Sequence, residues 1–282
     1  MKTFTSYLTL FRFELPFAAG VCVVLGQVLA LGTLPPVNIL LFGFGAVFFI
    51  SASALILNDL FDIESDRINA AERPLPSGRV SPTGVVILFG IVSILGFVLS
   101  FLISISVFLL VVVLWIVALL YNWKFKRAGI AGNLMISFSV GMTFIYGGVS
   151  VGVPFDVLVW LFAVIAALIN LGEEIAADVM DMHGDKKMDS KSVPIQYGAE
   201  TAVNICTIIF GTAILISMVP FVFGLLPLMY IIPILIMDVI IVYSVMRFRK
   251  SKGQEGRRYI RMLYLGALFG MMVLLAMRLI AG

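Results

Sequence analysis

Long apolar runs alternate with short polar stretches along the whole of this 282-residue chain. Most runs approach the roughly 20 residues that a helix needs to cross a bilayer. They predict nine spans, at 12–32, 37–58, 83–103, 105–122, 131–151, 155–177, 199–219, 224–246 and 259–280. Gly32-Thr33-Leu34-Pro35-Pro36 ends the first, and Gly152-Val153-Pro154 separates the fifth from the sixth. The weakest division lies between the third and fourth, because Val85 to Tyr121 carries no charge at all. That stretch is too long for one ordinary span and predicts a tight hairpin around Ser104.

Composition supports an all-α, polytopic membrane protein. Hydrophobic residues make up 61% of the chain and charged ones 12%, about half the roughly 25% usual in soluble domains. Little remains for a soluble domain, and residues 1–282 are expected to form one transmembrane unit. The first apolar run begins near Phe11, lacks a cleavage pattern and is expected to be a retained span. Cys22 and Cys206 both fall in apolar segments, which suits packed thiols better than a disulfide or a metal site.

The placement of charge is more telling than the net +3. With a cytoplasmic N-terminus, every Lys and Arg except Arg278 falls on the cytoplasmic side of the nine spans, as the positive-inside rule requires. The expected protein is therefore a multi-pass cell-membrane protein with its C-terminus outside.

Against this background two acidic patterns stand out, Asp59-x-x-Asp62-x-x-x-Asp66 and Asp178-x-x-Asp181-x-x-x-Asp185. All three carboxylates of one copy lie 119 positions from their counterparts, at the inner ends of the second and sixth spans. Four spans separate the copies, so they have the same orientation. This suggests a parallel repeat of helices 1–4 and 5–8 followed by a ninth helix. Spacings of three and four put the carboxylates on one helical face, joined by Asn58 in the first copy and Glu174 in the second. Carboxylates so close repel where water is scarce, and a divalent cation would keep them ionised. An all-oxygen set with no thiols suits Mg²⁺, which takes one or two carboxylates and completes its shell with substrate phosphate. His183, the sole histidine, falls within the second copy but is expected to be solvated rather than a ligand, since Mg²⁺ prefers oxygen.

Cations flank both motifs. Glu72-Arg73-Pro74-Leu75-Pro76-Ser77-Gly78-Arg79 contains two prolines, excludes a regular helix and is expected to fold back over the first motif. Arg67, Arg73 and Arg79 are candidate phosphate ligands, because the guanidinium binds such groups with two prongs. Tyr121-Asn122-Trp123-Lys124-Phe125-Lys126-Arg127 forms a third inner loop, either an interfacial anchor or a diphosphate clamp. The cluster from Arg247 to Arg258 fits topology and anionic lipid. Glu14 and Asp238 each line the cavity or pair locally. Gly141, Gly147 and Gly148 are expected to permit close helix packing.

Asn58-Asp59-x-x-Asp62-x-x-x-Asp66, then Arg73-Pro-x-Pro-Ser-Gly78, then Asp178-x-x-Asp181-x-x-Gly184-Asp185 resembles the UbiA superfamily of intramembrane prenyltransferases. The likeness covers essentially the whole chain, and NDLFDIESDRINAAERPLPSGRVS is most similar to that family's archaeal digeranylgeranylglyceryl phosphate synthases. Chlorophyll synthase-like members are also near. The resemblance implies nine helices around a central cavity, capped on the cytoplasmic side and open laterally to lipid. It implies Mg²⁺ as the cofactor, bound by Asn58, Asp62, Asp66, Asp181 and Asp185 with Asp59 and Asp178 supporting. It further implies a diphosphate held by Arg12, Arg67, Arg73, Lys124 and Lys126. Many members carry Lys directly before the second motif's first Asp; here that position is Ala177, so a cation near diphosphate or acceptor is missing.

The expected reaction is transfer of a geranylgeranyl group from its diphosphate to a lipid-soluble acceptor, geranylgeranylglyceryl phosphate in the archaeal branch. Asp62, Asp66, Asp181 and Asp185 would be catalytic through the metal, with Tyr121 steadying the allylic cation or orienting the acceptor. The partners are then donor, acceptor and membrane lipid; no nucleic acid and no obligatory protein partner is expected. A quinone- or chlorophyll-type aromatic acceptor is the alternative. A cation-coupled transporter is the rival of a different class, although transporters favour midplane sites and inverted repeats.

Overall fold

The computed structural model describes residues 2–187, 189–251 and 255–281, without the side chains of residues 2–4, 65, 68, 69, 183, 185, 187, 279 and 281. In chain order the helices are α1 (Lys2–Thr9), α2 (Glu14–Leu31), α3 (Val37–Phe61), α4 (Ile63–Asn69), α5 (Pro82–Phe101) and α6 (Ile105–Leu120). A π-helical turn, Tyr121–Phe125, extends α6. Then follow α7 (Ile130–Ser150), α8 (Val157–Lys187), α9 (Val193–Tyr197), α10 (Ala199–Ser217) and α11 (Val219–Val222). A 3₁₀ turn, Leu228–Tyr230, leads into α12 (Ile231–Lys250), and α13 (Glu255–Ala281) ends the chain. Nine helices among the described residues are long and apolar enough to cross a membrane: α2, α3, α5, α6, α7, α8, α10, α12 and α13. These match the nine predicted segments.

Local chemistry sets the breaks. Gly32, at φ +73°, ends α2 by donating its N–H to the Val28 carbonyl (2.9 Å), a left-handed cap that costs glycine little. The expected hairpin is present: α5 stops at Phe101 and Ser104 caps α6, accepting from the Val107 N–H (3.2 Å). A single hydroxyl at the helix start satisfies a donor that the bilayer cannot, so the turn needs no charged residue.

The spanning helices pack as a closed ring in the order α2, α3, α5, α6, α7, α8, α10, α12, α13 and back to α2. α2 and α7 also meet across the ring. A Cβ on Gly26 would lie 2.4 Å from the Phe144 carbonyl, and one on Gly147 would lie 2.4 Å from that of Val23. Only glycine allows backbones this close. This contact falls in the half remote from the acidic motifs, so the ring is pinched there and open at the motif end. Core clusters fill the walls; Phe144, Phe162, Ile234 and Leu274 share one of them. Large apolar side chains such as Ile87, Ile91, Ile94 and Val239 remain exposed on the outside, as a lipid-facing surface requires.

Candidate active site

The first motif rides on the end of α3. The helix breaks at Asp62 (φ −92°, ψ 2°), yet Asp62 N–H still bonds the Asn58 carbonyl (3.0 Å) and Asp66 N–H the Asp62 carbonyl (2.7 Å). The break is thus a local kink into α4, and the carboxylates stay at one end of the ring. Asp59 and Asp66 are buried, 4% and 7% exposed. Buried carboxylates need partners, and each has one. Arg12 makes an ion pair with Asp59, and Arg73 Nη1 donates to Asp66 Oδ2 at 2.7 Å while lying 3.9 Å from Asp59. Lys126 makes an ion pair with Asp62. Asn58, with its amide oxygen turned toward Lys126, accepts from Nζ at 2.8 Å and donates to Asp62 Oδ2 at 3.0 Å.

Three local devices deliver these cations. Arg12 adopts φ +43°, an uncommon conformation for a residue with a side chain; it sits at the corner between α1 and α2, where its guanidinium reaches Asp59. The proline loop folds back over α3 as expected, because Leu75 and Val80 bury against Leu10, Ala52, Ile56 and Val85. Ser77 Oγ donates to the Arg73 carbonyl (2.7 Å) and Gly78 takes φ +73° to close the turn. Burial disfavours charge on Arg73, but the hydrogen bond and charge of Asp66, with the charges of Asp59 and Asp62, carry its pKa above the ordinary value. The third device departs from the expected loop: Tyr121–Phe125 is a π turn, closed by the Lys126 N–H on the Tyr121 carbonyl (2.8 Å). The wider turn buries Asn122, which donates to the Ala118 carbonyl (2.9 Å), while Trp123 stays 69% exposed.

The second motif lies on α8, which runs unbroken past its apolar part. Asp178 accepts from Asn133 Nδ2 on α7 (2.9 Å). Asp181 is half exposed and paired with Arg257 at the start of α13. The side chains of Asp185 and His183 lie outside the described residues. Tyr121 lies within electrostatic range of Asp62 from the first motif and of Glu174 and Asp178 from the second. Lys126 likewise acts on Glu174. One site therefore draws on both motifs.

Beneath it opens a cavity of about 600 Å³. Arg12, Asn58, Tyr121, Asn122, Glu173 and Glu174 line its motif end; Val47, Val111, Phe144, Phe162 and Leu274 line its apolar depth. Among the described residues no three Asp, Glu, His or Cys side chains converge closely enough to hold a metal by themselves. Mg²⁺ takes only one or two carboxylates and fills its shell with water and substrate phosphate, so a sparse carboxylate set suits it.

Of the sequence candidates, Arg12, Arg73 and Lys126 reach motif carboxylates. Arg67 and Lys124 are exposed and, among the described residues, unpaired with them. Arg79 is spent on its own loop, donating to Ser77 Oγ (3.0 Å) and the Glu72 carbonyl. Asp238 pairs locally with Ser217 (2.9 Å). Sequence reasoning did not single out Asn122 or Asn133, whose signal was an amide at the motif end of an apolar span. It assigned Arg257 to a lipid patch, whereas the fold brings that residue to Asp181.

Comparison with known proteins bears on the family and the fold. The model of the UbiA prenyltransferase family matches residues 19–271. A digeranylgeranylglyceryl phosphate synthase of Thermococcus sibiricus is 34% identical over 233 residues, covering 83% of this chain and 82% of its own. A solved structure from a study of digeranylgeranylglyceryl phosphate synthase in membranes matches at TM-score 0.78 and 29% identity, covering 99% of both chains. A UbiA homolog from Archaeoglobus fulgidus bound to GPP and Mg²⁺ shares the fold at TM-score 0.67 and 17% identity, covering 95% of this chain and 99% of its own. These likenesses displace the transporter alternative. The chain belongs to the UbiA prenyltransferase family and is a multi-pass membrane prenyltransferase.

Proposed function

We propose that this chain transfers the geranylgeranyl group of geranylgeranyl diphosphate to the free hydroxyl of geranylgeranylglyceryl phosphate, an ether-lipid precursor, with Mg²⁺ as its cofactor. One observation carries the reading: an apolar cavity ends at a rim where Asp59, Asp62 and Asp66 interlock with Arg12, Arg73 and Lys126. A diphosphate with a long apolar tail matches both halves of that shape. The names of relatives such as the Thermococcus sibiricus protein support the acceptor.

In this reading Asn58, Asp62, Asp66, Asp181 and Asp185 would hold the metal, with Asp59 and Asp178 in support. When bound, Mg²⁺ supplies charge neutralisation of the leaving diphosphate. Arg12, Arg73 and Lys126 exchange part of their carboxylate contacts for phosphate oxygens, with Arg67 and Lys124 at the exposed rim. The allylic C1–O bond breaks and its electron pair leaves on the diphosphate, where these cations stabilise the growing charge. The apolar walls exclude water that would capture the allylic cation. Tyr121, at the boundary of cavity and rim, faces C1 and orients the acceptor hydroxyl. The hydroxyl oxygen forms the new bond to C1, and its proton passes to the departing diphosphate. The two motifs act as the paired halves of a parallel repeat. The positive-inside pattern supports a cytoplasmic rim, with Arg278 at the opposite end of α13.

The test is a purified-protein assay with radiolabelled geranylgeranyl diphosphate and a panel of acceptors. Product with geranylgeranylglyceryl phosphate should require Mg²⁺ and vanish with a chelator and in Asp62→Ala plus Asp181→Ala. Metal-independent product, activity surviving that double change, or preference for an aromatic acceptor overturns the assignment.

A further inference from the structure

A second cavity, about 610 Å³, lies beside the first, between the start of α2, the motif end of α8 and the first turns of α13. Arg12, Leu15, Glu173 and Tyr264 line both cavities and form the wall between them. This wall is built: Tyr264 Oη donates to the Glu14 carbonyl at 3.2 Å, tying α13 to α2. Ala177 also lines the second cavity, and its methyl leaves room there. Two other cations line the same space, Arg257 and Arg261, both from α13. Arg257 is already joined to Asp181 of the second motif. Arg261 is 70% exposed and lies 3.7 Å from Glu14, a loose contact that an anion can replace. Phe13, Met180 and Ile260 supply apolar wall around them.

The two arginines of α13, with Arg12, outnumber the Glu14 and Glu173 carboxylates that line the same cavity, and with the apolar wall they match the chemistry of a phosphate monoester on a lipid tail. We propose that this second cavity binds the acceptor's phosphate headgroup, with Arg261 as its principal ligand and Arg257 linking it to the second motif. Two of the cavity's three arginines thus come from the last helix. The inference rests on the proposed reaction and names the recognition element for its acceptor. Arg12, in the shared wall, would separate the acceptor phosphate from the donor diphosphate and keep the acceptor hydroxyl near C1.

Steady-state kinetics of the full-length protein in nanodiscs tests this, with geranylgeranylglyceryl phosphate compared against the same lipid lacking its phosphate. Arg261→Gln should raise KM for the phosphorylated acceptor by about tenfold or more, the loss of one charge-assisted hydrogen bond. It should leave donor KM and use of the unphosphorylated lipid unchanged. Arg261→Lys should recover most of the loss, and Ala177→Lys should restore acceptor KM in the Arg261→Gln background. Retention of labelled donor by each variant checks folding. An unchanged acceptor KM in Arg261→Gln, an equal effect on both acceptors, or a shift confined to donor KM overturns the headgroup site while leaving the reaction standing. Failure of the wild-type protein to form product with the phosphorylated acceptor overturns the reaction, and this site with it.

Discussion

Arg73 concentrates the electrostatic problem that the first motif poses. Asp66 is buried and Asp59 more so, and the guanidinium touches both, at 2.7 and 3.9 Å. Asp66 draws its pKa upward against the cost of burial, so Arg73 stays charged throughout the working range. Arg73→Ala should therefore lower kcat by about 10²–10³-fold, the usual cost of one donor at a developing charge, with a loss independent of pH near neutrality. Arg73→Lys should fall between, because an ammonium keeps the charge but not the fork. Rate–pH profiles of both variants check this. At the same scale the sequence conveyed residue types but not partners. Arg73 was legible because its loop adjoins the motif it serves. Arg257 was not, since its contact with Asp181 spans 76 positions, and spacing rules reach only a turn or two of helix.

The π turn at Tyr121–Phe125 shows what an element adds beyond its residues. It places one extra residue in the last turn of α6, which buries Asn122 and brings Lys126 to Asp62. The sequence offered a basic aromatic loop here, because a hydrogen bond one residue longer than α-helical leaves no composition signature. The turn acts through the lysine that it carries round to Asp62. Lys126→Ala should therefore lower kcat by about 100-fold, comparable with removing one transition-state charge, and single-turnover kinetics of the variant check it. The number of spans and the hairpin, by contrast, were readable, since the bilayer fixes length and every break must satisfy its own backbone, although α8 runs on to Lys187, past its predicted end at 177, and α12 starts only at Ile231. The proline loop carries a second element-scale test. Leu75 anchors it in the core at 4% exposure, so Leu75→Ala should cost about 2–5 kcal/mol if the loop folds with the bundle. Faster tryptic cleavage after Arg79 is the measurement.

Ring closure decides what the cavity accepts. α2 and α7 meet across the ring through Gly26 and Gly147 in the half away from the motifs, so a prenyl tail entering from the rim runs toward a floor rather than through a pore. Phe144, Phe162, Ile234 and Leu274 line the cavity at that depth and belong to one packed cluster. They come from four helices, α7, α8, α12 and α13, which is why no stretch of sequence announces the floor. Phe144 is the most deeply buried aromatic of that cluster, 1% exposed, and its removal should lengthen the cavity by roughly the volume of one isoprene unit. Phe144→Ala should cost about 3–5 kcal/mol of stability, yet that loss falls equally on every donor. The informative quantity is the ratio of kcat/KM for a donor one isoprene unit longer to that for geranylgeranyl diphosphate, which should rise about tenfold if a tail-end clash of a kcal/mol or two is relieved. An unchanged ratio with active protein would mean that the tail leaves the ring sideways between helices, and that the α2–α7 pinch does not set chain length.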